Sequence, residues 1–572
     1  MLTLGLSNMR DAAAALVDNG RIVAAAEEER FVRIKHVTAL PIHAIRYCLR
    51  TAGICLADVD AVAVPWKYWQ LGRRATLALG AMCRSPQLFR VKGRRSLERV
   101  GQEWTELAFL RRYLSRLVDG SPSPPPVFLD HHLCHAASAI LASPFEETAV
   151  LVVDGASESH TTMLACADRQ GIRVLRRIPL PHSLGQFYAA MTAYLGFKPD
   201  HDEYIVMGLA AYGEPRYAGT IREQILHLLP EGAFHLDTRV LDFHLARVGI
   251  FRPSLVELLG PPRVPGEELL PRHRDIAASV QLVLEETLLH LARALKQLTG
   301  LDHLCLAGGV AYNCVANGRL WREAGFRQLY VPPAAGDSGA ALGAALWLTH
   351  RRGQLTEHTA MRSADWGPEY SEQDCRAALE GSGLSVERWD DAALCEKVAA
   401  ELARGRLVFW FQGRMEWGPR ALGNRSLLGD PRREDTRALI NAQVKLRELF
   451  RPFAPSVLAE RADELFEMPG PSPFMLVTVP VRPTAKGLIP AVVHVDGSAR
   501  VQTVDEQAHP RYRLLLEAFA RQTGVPVLLN TSFNVNEPIV CTPEDAVRCF
   551  LRTDVEWLVM GNLLVSRTAV PA

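Results

Sequence analysis

His131 and His135 stand four residues apart in Asp130-His131-His132-Leu133-Cys134-His135-Ala136. In a helix that spacing stacks both imidazoles on one face, about one turn apart. Two stacked imidazoles can chelate a transition metal once carboxylates complete the shell. The carboxylates that suggest themselves are Asp154, which ends the apolar run Ala149-Val150-Leu151-Val152-Val153, and Asp337 in Ala335-Gly336-Asp337-Ser338-Gly339. A metal held there at the mouth of a cleft would point to chemistry on an oxygen-rich substrate. Alone, the same pattern also suits a polar helix start followed by small core residues, so its meaning depends on what accompanies it.

The elements that must position these groups are legible as punctuation. Leu2 to Leu6 reads as a strand, Ser7 to Asp11 as a polar turn, and Asn19-Gly20 between two apolar runs as a hairpin turn. Residues 68–116 carry arginines and apolar residues at helical spacing and read as inserted helices, a candidate lid. A Pro-rich break at Ser121 to Pro126 precedes the strand Val127-Phe128-Leu129, and Thr148 to Asp154 repeats the pattern of a strand ending in a polar turn. Leu304 to Ala307 runs into Gly308-Gly309, and a Gly- and Ala-rich helix is expected from Ser338 to Leu348. Strands that end in Gly or Asp turns, repeated in two lobes, suggest a duplicated α/β fold whose glycines let backbone approach phosphate. A polar stretch near 350–375 reads as a linker, with a domain boundary near residue 360.

The whole chain sets wide bounds. Its 572 residues hold two or three domains, and 48% hydrophobic with 22% charged residues is ordinary for a soluble globular protein. A net charge of +1 argues against binding dominated by nucleic-acid phosphates. No apolar run approaches the roughly eighteen residues of a spanning helix, so no membrane contact is expected. The start at Met1-Leu2-Thr3 lacks a signal-peptide pattern, and eleven scattered cysteines suit a reduced, cytoplasmic protein.

The C-terminal part concentrates cations in short motifs. Arg414, Arg420 and Arg425 flank Gly418-Pro419 and Gly423-Asn424; Lys445 and Arg451 follow, then Arg500, and Leu529 to Asn534 ends a strand in the polar residues Asn530 and Ser532. Lysine is scarce, eight in the chain, which draws attention to Lys445 and to Lys35. Guanidinium forks and one lysine converging in a pocket would bind a triphosphate or an acyl phosphate.

Taken in order, the motifs resemble the NodU/CmcH/TobZ family of natural-product O-carbamoyltransferases. They are Asp130 to Ala136, Val153-Asp154-Gly155, Glu203 to Leu209, Gly308 to Cys314, Phe411 to Gly423, Phe450 to Pro455, His494 to Gly497 and Leu529 to Asn534. The resemblance implies an N-terminal actin-like (ASKHA) metal domain over 1–360 and a C-terminal YrdC-like twisted α/β domain over 361–572. In that scheme carbamoyl phosphate and Mg-ATP give carbamoyl adenylate in the C-terminal domain. The N-terminal domain then passes the carbamoyl group to a hydroxyl of a natural product. By the same resemblance His131, His135, Asp154 and Asp337 would hold one iron ion. Lys35, Asp154, Ser183, Gly185, Gly309 and Asn313 would face the adenylate, Lys35 as part of the N-terminal domain. Arg414, Arg420, Lys445, Arg451, Arg500, Asn530 and Ser532 would face ATP and carbamoyl phosphate. The partners expected are thus ATP, carbamoyl phosphate and the acceptor, without nucleic acid or membrane, and with room for a homodimer.

One departure stands out. Relatives place His just before the Asp of the first turn and an acid two residues earlier, facing the acceptor; here these positions hold Arg10 and Asn8, ahead of Asp11. An arginine cannot act as a base. Either another residue serves, with His244 a candidate, or the adenylate is electrophilic enough without one. The loss also suggests an acceptor that is not a polycationic aminosugar, such as a polyketide or neutral glycoside. Two other readings use the same fold: a threonylcarbamoyl-type tRNA modification enzyme, and a non-catalytic actin-like nucleotide sensor.

Overall fold

Asn19 and Gly20 have φ of 49° and 103°, the left-handed pair that a two-residue hairpin turn requires. They join β2 (Ala13–Asp18) to β3 (Arg21–Glu27), and β2 pairs antiparallel with β1 (Leu2–Ser7). The structure, a computed structural model, describes residues 1–70, 76, 105–168, 170–241, 251–357, 360–445, 447–448 and 450–567. Two compact units divide the chain, residues 1–23 with 36–360 and residues 24–35 with 361–572.

In the first unit β4 (Ala61–Val64) and β5 (Pro126–Phe128) add to β1 in parallel, giving the order β3-β2-β1-β4-β5. A second sheet repeats this plan. The meander β6 (Thr148–Val153), β7 (His160–Asp168), β8 (Gly171–Pro179) is joined by parallel β11 (His303–Ala307) and β12 (Gln328–Tyr330), in the order β12-β11-β6-β7-β8. Between β8 and β11 in chain order comes a small separate hairpin, β9 (Leu226–Leu229) with β10 (Ala233–Leu236). Strand order and strand sense match throughout, so the duplicated, actin-like α/β plan expected from the sequence is present in the topology itself. Every residue of β4 and β6 is buried, as expected of strands covered on both faces.

The helices that follow the last parallel strand of each sheet are counterparts: His131–Ile140 after β5, and Asp337–Arg351 after β12. They cross very closely. A Cβ at Gly343 would lie 1.8 Å from the Cys134 carbonyl oxygen, and one at Gly5 would lie 1.9 Å from the Ala341 oxygen. The glycines and alanines of 338–348 therefore serve helix–helix and helix–strand packing, over a core of Ala61, Ala63, Cys134, Ala340, Ala344 and Leu348. Gly308 is used the same way: its φ is 90°, and a Cβ there would lie 2.3 Å from the Val153 oxygen.

The second unit is built on a mixed eight-stranded sheet. Its strands are β13 (Ser385–Arg388), β14 (Val408–Phe411), β15 (Arg425–Gly429), β16 (Ala454–Leu458), β19 (Gln502–Val504), β20 (Val527–Ser532), β21 (Trp557–Met560) and β22 (Leu563–Ser566). They run in the order β13-β22-β21-β14-β15-β20-β16-β19, beside a small pair, β17 (Thr478–Pro480) with β18 (Ser498–Arg500). The helices Asp391–Ala403 and Pro510–Thr523 pack together over a core that includes Val398, Trp410, Leu515, Phe519 and Val559.

Segment 24–35 differs from the sequence expectation, because it groups with the second unit, into which Glu27, Arg30 and Arg33 hydrogen-bond. Glu27 accepts from the Gly418 N–H at 2.7 Å, Arg30 donates to the Gly418 carbonyl at 2.8 Å, and Arg33 donates to the carbonyls of Pro538 and Ile539, both at 2.6 Å. Lys35 thus groups with the second unit. Of the expected 68–116 insertion, 71–75 and 77–104 lie outside the described residues, and the helix Leu110–Leu117 closes it. His244 lies outside them too. No helix among the described residues is long and apolar enough to cross a membrane.

Candidate metal centre and anion site

Asp130 caps the first helix, accepting from the Leu133 N–H at 3.1 Å, and so starts it with His131 in its first turn. His131 Nε2 and His135 Nε2 then lie 3.1 Å apart, fully buried. Asp154, just past β6, brings Oδ2 to 3.0 Å from His131 Nε2 and 3.7 Å from His135 Nε2. Asp337, which opens the counterpart helix, brings Oδ1 to 3.6 Å from each. All four donor atoms lie within 4.8 Å of one another. Four ligands on one ion at bond lengths of about 2.1 Å would stand roughly 3.0–3.4 Å apart, so the set fits a single transition-metal ion. His131 Nδ1 lies 3.0 Å from the Pro65 carbonyl; as an N–H donor it leaves the Nε2 lone pair facing the carboxylates.

The electrostatics make the same demand. Burial pushes His131 down, yet Asp154 and Asp337 lift its imidazole to about 9. Asp154 is held well below the usual carboxylate range, because hydrogen bonds from His131 and His135 outweigh its burial. A buried cluster of two imidazoles and two carboxylates calls for positive charge, supplied by protons or by a metal cation. His132 is kept neutral by burial and lies outside the cluster.

Of the remaining residues expected in this unit, Ser183, Gly185 and Gly309 lie against Asp154 and Gly155. Ser183 caps the helix Leu184–Tyr194 and donates to the Gly155 carbonyl at 2.7 Å, and a Cβ at Gly185 would meet Gly155 at 3.0 Å. Gly309 donates its N–H to Asp154 Oδ1 at 3.1 Å. Asn313 exchanges amide hydrogen bonds with Gln281 at 2.9 and 3.0 Å. Ser183, Gly185 and Gly309 fix the turn that carries Asp154, while Asn313 caps the helix Cys314–Glu323. On the first hairpin, Asn8 is buried, Arg10 reaches Asp200 at 3.6 Å, and Asp11 lies 2.7 Å from His36 Nδ1.

In the second unit Glu416 anchors the loop 417–424, accepting from the N–H groups of Leu422, Asn424 and Arg425 at 2.7, 2.8 and 3.1 Å. Gly418 and Gly423 bend it with φ of 105° and 112°, and a Cβ at Gly423 would lie 2.4 Å from the Tyr512 ring. Arg420 is half-buried on this loop, whereas Arg414 donates to the Trp366 and Gly367 carbonyls at 2.8 and 3.2 Å. Asn530 is buried in β20, donating to Ser456 and Gln502 at 3.1 and 3.2 Å. Buried Lys445 donates to the Ser532 and Asn534 carbonyls at 2.6 and 2.8 Å.

Burial, then Arg447, Arg451 and Lys35, hold Lys445 well below its usual range; Lys35 is lowered by desolvation and by Arg451 and Arg30. Cations that depress one another mark a place where an anion would relieve repulsion. Arg500, on β18, acts with burial and Arg437 to keep His494 neutral, down to about 4, against Asp496. Glu416 and His494 lie inside motifs the sequence displays, but their partners are brought together only by the fold.

A duplicated α/β unit with a two-histidine, two-carboxylate cluster, followed by a cation-lined α/β unit, defines the class. Residues 2–346 match the model of the carbamoyltransferase N-terminus and residues 399–567 that of the carbamoyltransferase C-terminus, so the chain belongs to the carbamoyltransferase family and is an enzyme of that class. It is 42% identical to an uncharacterised Synechocystis protein, over 99% of this chain and 97% of that one. It is 41% identical to nodulation protein NolNO of Sinorhizobium fredii over 98% and 80%, and 39% identical to the 3'-hydroxymethylcephem-O-carbamoyltransferase of Amycolatopsis lactamdurans over 52% and 55%.

Proposed function

We propose that the protein is an ATP-dependent O-carbamoyltransferase whose two stages divide between its two units. In the second unit, carbamoyl phosphate gives up phosphate to water as carbamate. A carbamate oxygen then attacks the α-phosphorus of Mg-ATP, and pyrophosphate leaves. Arg420, Lys445, Arg447 and Arg451 neutralise the phosphates and the departing charge. In the first unit a hydroxyl oxygen of the acceptor attacks the carbonyl carbon of carbamoyl adenylate, and AMP leaves.

His131, His135, Asp154 and Asp337 would hold one metal ion, for which the family resemblance implies iron. When bound, such an ion supplies Lewis-acid polarisation of an oxygen on the reacting group. Pro65 orients His131, and Gly309, Ser183 and Gly185 orient the Asp154 turn, so this chain keeps the donors aligned. The single observation that carries the reading is the convergence of these four donors in a family of carbamoyl-transferring enzymes.

The acceptor class we infer is a hydroxyl compound that is not a polycation. One relative is named for a hydroxymethylcephem, and Arg10 on the first hairpin would repel a polycation. Pyrophosphate release from ATP that depends on carbamoyl phosphate tests the first stage. Metal-loaded protein that releases none would overturn the reading.

A further inference from the structure

We propose that His36, held through Nδ1 by the Asp11 carboxylate, is the base that takes the proton from the attacking hydroxyl. The proposal rests on the transfer reading above and supplies the base that Arg10 cannot. With Nδ1–H donated to Asp11 at 2.7 Å, His36 Nε2 carries the lone pair. The hydroxyl proton goes to Nε2 as its oxygen bonds to the carbonyl carbon. The bond from that carbon to the adenylate oxygen breaks, AMP leaves, and Asp11 stabilises the imidazolium.

Four observations place this pair at the transfer site. First, β1 pairs in parallel with β4 up to Gly5 and Ala63, so the chain leaves β1 after Ser7 and β4 at Pro65 toward the same end of the sheet. Pro65 is the residue whose carbonyl faces His131 Nδ1, so the Asp11 loop leaves the same carboxyl edge of the sheet as the metal cluster. Second, the backbone is left-handed at Asp11, His36 and Asp200, with φ of 58°, 54° and 59°, three non-glycine residues gathered around one place. Third, His201 stands edge-on to His36 at 4.6 Å between ring centroids and pairs with Asp202 at 2.7 Å, a second imidazole–carboxylate couple beside the first. Fourth, His36 and Asp11 side chains are 32% and 27% exposed, within reach of a substrate. The competing role is a strut, since the Ala12 N–H also donates to the Val37 carbonyl at 3.0 Å.

The test uses full-length metal-loaded protein with ATP and carbamoyl phosphate. The probes are a 3'-hydroxymethylcephem, methyl glucoside and hydroxylamine. Hydroxylamine attacks as a neutral amine and needs no base, giving hydroxyurea. His36→Gln and Asp11→Asn should lose carbamate formation from the alcohols, by about 100-fold or more for His36→Gln, while hydroxyurea and pyrophosphate formation change little. If wild type carbamoylates neither alcohol, AMP release to water is read instead, and it should fall likewise. Unchanged transfer in His36→Gln, or a parallel fall with alcohol and hydroxylamine, would overturn the base and leave the strut. No carbamoyl-phosphate-dependent pyrophosphate from wild type would instead overturn the two-stage reading, and the base with it.

Discussion

At the scale of residues, the two stages should separate by substitution. Arg420→Ala removes a cation from the loop that Glu416 anchors, so it should abolish carbamoyl-phosphate-dependent pyrophosphate release while supplied carbamoyl adenylate is still consumed. His131→Ala should show the reverse, and the same defect in both variants would refute the division. Removing either histidine also leaves a buried donor set short of a ligand, so His135→Ala should carry far less metal than wild type when purified protein is assayed by elemental analysis. The convergence of the four donors was legible because His131 and His135 are a local helical pair, and because Asp154 and Asp337 each end a readable strand or turn. His36 was not, for it meets Asp11 across 25 residues of chain with no periodicity to announce it. Arg414 carried the opposite lesson: a motif arginine can be occupied by backbone carbonyls, which no spacing reveals.

At the scale of elements, the helices bearing His131 and Asp337 are held at a separation set by glycine. Gly343→Ala would put a methyl 1.8 Å from the Cys134 carbonyl, backbone that cannot rotate away. It should cost about 3 kcal/mol in unfolding free energy and lower metal content as well, because the ligands ride on the helices that must move apart. An unchanged metal stoichiometry would show the ligands to be set independently of the crossing. The Gly/Ala-rich composition was visible in the sequence, but its use was not: phosphate approach and helix crossing ask for the same small residues. Segment 24–35 makes a second prediction. Burial, opposed by Arg30, lifts the Glu27 carboxyl from 4.5 to about 7. A raised carboxyl pKa means the folded state binds the proton more tightly, so this contribution is full below about pH 4.5 and is lost as pH rises through about 7. Glu27→Gln keeps an acceptor for the Gly418 N–H without that penalty, so its stability relative to wild type should rise between pH 5 and 8 by up to about 3 kcal/mol in urea unfolding. A difference that stays flat with pH would place the charge of Glu27 elsewhere.

At the scale of the whole molecule, a boundary near residue 360 describes the chain but not the fold. The duplicated sheets could be anticipated from repeated strand-and-turn punctuation. The return of residues 24–35 to the second unit could not, because its hydrogen bonds from Glu27 and Arg30 to Gly418 cross 391 and 388 residues of chain. That has a consequence for any separated second unit. Its apolar core draws on residues such as Leu394, Trp410, Leu515 and Val559, all supplied by 361–572, so a fragment of that range should still unfold cooperatively. Its 417–424 loop would lose support on two sides: the Gly418 N–H and carbonyl lose Glu27 and Arg30, and the Trp366 carbonyl, which also receives Arg414, loses the Ala25 N–H. An unsupported loop no longer presents Arg420 in a fixed place, and catalysis by charge depends on donors already in position. The fragment should therefore fold yet release no pyrophosphate, and joining residues 24–35 to its N-terminus by a flexible linker should restore release. Full release from the bare fragment would show that the loop stands on Glu416 alone.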